Sequence, residues 1–112
     1  MSLADLFNIP QDDDSMKKWS ALHMAHHRSI NFAIQQQTNT LLPLYVIDPV
    51  NLANPGAFLN QHQDLHNNTD AILGIPGYDL TEVNWNDPGQ RASWIWLNAT
   101  LHRAEADALG IG

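Results

Sequence analysis

The chain contains no cysteine. Disulfides and thiolate metal sites are therefore excluded, and stability must come from packing or from assembly with other subunits. Positive charge is also scarce. Five Lys and Arg stand against twelve Asp and Glu, a formal net charge of −7. Such a chain has no basic face with which to wrap nucleic acid or sit on anionic lipid, so neither partner is expected. No apolar run approaches the length of a membrane span. The first seven residues lack the basic region and apolar block of a secretory leader. The expected place is the cytoplasm, or a larger particle assembled there.

Catalytic signatures are missing too. There is no phosphate loop, dinucleotide fingerprint, nucleophile elbow or His-Glu-x-x-His motif. Without cysteine or convincing paired carboxylates, a non-enzymatic role is expected. A metal-dependent hydrolase or oxidase is the one enzymatic form left open.

What is present suits one small domain. The 112 residues suffice for one modest core, and 44% of them are hydrophobic. Four tryptophans supply large apolar area. Residues 1–13 read as an irregular N-terminal arm, and residues 14–112 as a single helical domain. The acids at positions 12–14 suit the positive end of a first helix over about 15–37. Its stripe reads Met16, Trp19, His23, His26, His27, Ile30, Ala33 and Ile34, in steps of three and four.

A proline-broken crossover follows at 41–53, within which Tyr45, Val46 and Ile47 allow a short strand. A second helix starts at Asn54-Pro55, with the stripe Phe58, Leu59, His62, Leu65, His66, Thr69, Ile72 and Leu73. Gly74 followed by Ile75 is a Schellman-type ending. A second loop at 75–86 carries Leu80, Val83 and Trp85, which can fold back onto the core. A third helix opens at Asp87-Pro88, where Asp87 with Gln90 fits a capping box, and ends at Gly110-Ile111. The expected fold is all-α: a small three-helix bundle with two long ordered loops.

The six histidines are the informative feature, since all fall on or beside the apolar stripes. His23 and His27 are four apart, as are His62 and His66, and His102 lies three before Glu105. Such pairs share a helix face. Two readings compete. In the preferred one, the imidazoles are interior polar groups, each bonded to a backbone carbonyl, a tyrosine hydroxyl or a carboxylate, and they fix the register of the helices. No cofactor is then expected. In the alternative, they converge on zinc or iron, with His27, His62, His66, His102 and Glu105 as ligands and His23 and His26 as further candidates. The carboxylate supply is thin for a metal bundle. Glu105 is the sole glutamate near the stripes, and Asp64 is expected to point away.

Trp94 and Trp96 flank Ile95 and must face different sides of one helix. A tryptophan left outside the core, together with long loops, points to a protein interface.

One resemblance adds to this reading. The order is Tyr45-Val46-Ile47-Asp48-Pro49, then Phe58 to His66, Leu73-Gly74, Asp79-Leu80, Asp87, a Trp-rich helix with His102, and a closing Leu-Gly-Ile. Over roughly residues 19–111 this resembles small structural proteins of tailed bacteriophages. The resemblance implies a virion component or assembly factor, with partners in self-assembly or other virion proteins.

Overall fold

The computed structural model describes residues 3–42 and 56–111. It is all-α, with three helices, α1 (Asp13–Thr38), α2 (Gly56–Leu73) and α3 (Pro88–Leu109), preceded by a 3-10 turn at Leu3–Phe7. No strand occurs among the described residues. The possible strand at Tyr45–Ile47 and the expected start at Asn54-Pro55 lie outside them.

Helix ends follow local chemistry. Asp12 caps α1: its carboxylate accepts from the Ser15 backbone at 2.8 Å, and the Ser15 hydroxyl accepts from the Asp12 backbone at 3.1 Å. The helix thus begins two residues before the expected Ser15, because Ser15 completes a capping box. Asp87 caps α3 by accepting from Gly89 and Gln90. The Gln90 amide oxygen accepts from the Asn84 backbone and its amide nitrogen donates to Asp87 Oδ2 at 3.3 Å, so Gln90 ties the preceding loop to the cap without accepting from the Asp87 backbone. Gly74 and Gly110 take left-handed conformations, φ 68° and 73°. Ile75 donates to the Asp70 carbonyl and Ile111 to the Ala106 carbonyl. Both endings are therefore Schellman motifs.

The arm differs from expectation. Leu6 is fully buried, its carbonyl accepts from the Trp19 indole at 3.0 Å, and its turn packs against α1 and α3. A leucine every few residues was available in this segment to complete the core.

Two apolar layers sandwich a polar one. The larger gathers Leu6, Met16, Trp19, Phe58, Trp85 and Trp94 among others. The smaller comprises Ile30, Ala33, Ile34 and Leu109, with Ile72 and Leu73 packed on it. Each helix leads from the first layer to the second, passing histidines in between. The three helices therefore run parallel. The Gln37 amide donating to the Leu109 carbonyl at 2.6 Å ties the ends of α1 and α3 together. Parallel neighbours need connections that travel back along the bundle. That is why residues 74–87 make a long return, with Leu80 and Trp85 buried and the Trp94 indole donating to the Leu80 carbonyl at 2.8 Å. Loop length, read from sequence as a sign of an interface, is here a consequence of helix direction. Trp94 is core and Trp96 is 55% exposed.

Candidate metal centre

The stripes of three parallel helices meet at one level. α1 contributes His23 and His27, α2 contributes His62 and His66, and α3 contributes His102. All five are buried, none more than 1% exposed. One nitrogen of each lies within 4.8 Å of all the others. The sequence-derived candidates His27, His62, His66 and His102 come together here. His23, named there only as a further candidate, is central to the group. His26 lies outside it, and Asp64 is exposed.

The contacts are between imidazoles. His23 Nε2 lies 3.0 Å from His27 Nε2, 3.0 Å from His102 Nε2 and 3.2 Å from His62 Nε2. His66 Nε2 lies 2.9 Å from His62 Nε2. An imidazole nitrogen has either one proton or one lone pair, both in the ring plane. His23 Nε2 cannot form three hydrogen bonds. The expectation was of partners among carbonyls, tyrosine hydroxyls and carboxylates; at the Nε2 atoms of His23, His27, His62 and His66 the contacts found are instead other imidazoles, and among the described residues only His66 meets a carboxylate, through its Nδ1. The stripe spacing that buries the rings also points their tips at one another.

The distances match coordination geometry. With metal–imidazole bonds of about 2.1 Å, ligand nitrogens at right angles stand about 3.0 Å apart, against about 3.4 Å in a tetrahedron. The observed 2.9–3.2 Å fits right angles. Ring positions agree. Around such an ion, ring centroids lie roughly 4.6 Å apart at right angles and roughly 6.5 Å apart when opposite. His23 and His66 are 6.5 Å apart and nearly coplanar in orientation, at 24°. Going round the ring, His23–His62 is 4.9 Å, His62–His66 4.3 Å, His66–His102 4.8 Å and His102–His23 4.8 Å. His27 is 4.5 Å from His23, 4.7 Å from His66, 4.4 Å from His102 and 5.6 Å from His62. The ring centroids approximate a square pyramid, with four basal imidazoles and His27 at the apex; the His27–His62 separation of 5.6 Å is the widest departure.

Outer contacts set the tautomers. His66 Nδ1 lies 2.9 Å from Glu105 Oε2, and His102 Nδ1 lies 2.7 Å from His26 Nδ1. With Nε2 of each facing the centre, His66 Nδ1–H donates to Glu105 and His102 Nδ1–H donates to His26. A second-sphere partner of this kind holds a ligand ring in place. Glu105, expected as a ligand, thus sits behind His66. Asp70 stands beside it, 5% exposed, and was not singled out from the sequence. His66, Asp70 and Glu105 form a second close group, and among the described residues Asp70 Oδ1 and Oδ2 and Glu105 Oε1 have no hydrogen-bond partner. Gly77 lies over Asp70, where a Cβ would stand 2.5 Å from Oδ2.

Burial decides the protonation states. Desolvation holds His23, His27, His62 and His102 well below the usual imidazole range, and the neighbouring histidines add to it. Desolvation likewise brings His66 down to about 4. Burial pushes Glu105 up to about 7, and burial with Glu105 alongside pushes Asp70 up to about 8. At neutral pH the five rings are uncharged, the form in which imidazole binds metals.

Asn98 is the other group that sequence reasoning missed. It is fully buried one helical turn before His102, and neither carboxamide atom has a hydrogen-bond partner among the described residues. Its only signal in the sequence is a place on the α3 stripe between Trp94 and His102.

No family model, curated protein or solved structure matches the chain.

Proposed function

We propose that the protein is a helical metal-binding protein, with one divalent first-row transition ion held by His23, His27, His62, His66 and His102. The observation that carries this reading is the convergence of three imidazole nitrogens on His23 Nε2 within 3.2 Å. Neutral nitrogens so placed repel one another through their lone pairs, and a cation between them turns that repulsion into bonding. Imidazole suits zinc, iron, copper and nickel, but structural zinc is almost always four-coordinate. Five right-angled nitrogens favour iron, nickel or copper over zinc. Because the ligands come from all three helices, the ion staples the bundle, and binding free energy becomes folding free energy. The proposed role is structural and non-enzymatic.

The test is elemental analysis and native mass spectrometry of untagged protein. One ion per chain is expected, lost together with stability in the His62→Gln, His66→Gln double variant. Metal-free protein that takes up none of Fe2+, Ni2+, Cu2+ or Zn2+ overturns the reading.

A second reading concerns partners. Trp96 and Leu97 are adjacent on α3 and 55% and 37% exposed, which favours a protein contact. With the phage resemblance, this supports a virion or assembly subunit, and a metal-stapled domain is compatible with that place. No helix among the described residues is long and apolar enough to cross a membrane.

A further inference from the structure

Five imidazoles in a square pyramid occupy five of the six positions of an octahedron. The open position lies below the basal plane, opposite His27. What stands there decides whether the centre is closed or offers a site to an outside molecule. This question rests on the metal reading above.

Asn98 is the candidate for that position. It is a fully buried polar residue of α3. It stands four residues before the basal ligand His102, on the same helix face.

Two further facts fit. Asn98 is 0% exposed, and its Oδ1 and Nδ2 are both without a hydrogen-bond partner among the described residues. A buried carboxamide left unpaired is costly, so such groups normally have a partner. An ion in the pyramid supplies one for the oxygen.

We infer that the Asn98 carboxamide oxygen is the sixth ligand, opposite His27, and closes the centre against exogenous ligands. An ion with five nitrogens and one carbonyl oxygen is coordinatively saturated. It holds helices together and has no position at which to bind a substrate.

The experiment loads metal-free protein with Co2+ and reads the visible spectrum, with azide as the probe of an open position. Wild type is expected to give the weak absorption of six-coordinate Co2+ and no change with azide. Asn98→Leu, of similar size but without a donor, is expected to give the several-fold stronger bands of five-coordinate Co2+ and a further shift on azide addition. Asn98→Asp, which restores an oxygen donor, is expected to return the wild-type spectrum. A five-coordinate spectrum or an azide shift in wild type overturns the inference, and that arm needs no variant. So does an Asn98→Leu spectrum equal to wild type. Failure of wild type to bind Co2+ at all refutes the metal reading itself and is thereby distinguishable.

Discussion

The aromatic layer and the histidine layer lie next to each other on the same three helices, and they are held by opposite means. In the aromatic layer every gain comes from the chain. Trp19 and Trp94 meet at 6.0 Å and 63°, and both indoles donate to backbone carbonyls, of Leu6 and Leu80. Burial of such side chains is favourable, and in these two the one polar group is paired. The Trp85 indole N–H, buried in the same layer, has no partner among the described residues. The histidine layer buries at least as many rings with their donor atoms turned on each other. It does not complete itself. Among the described residues, Asp70, one oxygen of Glu105 and the Asn98 carboxamide are left without partners, and the Nε2 atoms crowd on one another. The difference teaches that a buried polar layer can be as well ordered by sequence as an apolar one and still leave its polar atoms unpaired, the opening that the proposed ion would fill.

The widest gap between the layers is expected on acidification of metal-free protein. The five buried imidazoles have folded pKa values below the unfolded 6.5, so the unfolded chain binds more protons and stability falls as pH drops through 6.5. Asp70 and Glu105 have raised values and act in the opposite sense, favouring the folded state as pH falls from about 8. His26 is lowered in the same direction, so six histidines gain protons in the unfolded chain against two carboxyls in the folded one, and stability falls steeply between roughly pH 6 and 5. Urea titrations across that range check it. A flat profile means the rings are not held neutral by burial.

The next contrast lies in Leu6→Ala, which removes a fully buried side chain from the aromatic layer and leaves the histidines untouched. A loss of about 2–5 kcal/mol is expected. It should be the same with and without bound metal, since distant sites add. A metal-dependent difference above about 0.5 kcal/mol in denaturant melts means that the layers are coupled.

The smallest effect is expected of Glu105→Gln. It keeps an acceptor for His66 Nδ1–H but removes the buried charge behind it. Metal affinity should fall about 10–100-fold while ligand number stays the same. Competition with a chromophoric chelator measures this. Loss of the ion altogether would place Glu105 among the ligands.

Much of this was legible in the residues. The helices, the Gly74 and Gly110 endings and the burial of all six histidines follow from steps of three and four and from capping chemistry, which are local. His62 with His66, and His23 with His27, share a face wherever α2 and α1 are placed. The Asp12–Ser15 capping box was equally local and was passed over because the acids there were read for their charge alone.

What sequence spacing did not decide was where the stripes meet. His26 and His27 are neighbours on one stripe, yet only His27 enters the centre and His26 backs His102. Asn98 and Asp70 read as ordinary helix polars until their levels along the bundle are known. Periodicity determines which face of each helix is buried, because a side chain's direction depends only on its own turn. Direction and register of the three helices decide which buried groups share a site. Those depend on how Trp19, Phe58 and Trp94 pack against one another and on a return loop pinned at Leu80, contacts that exist only between segments distant in the chain.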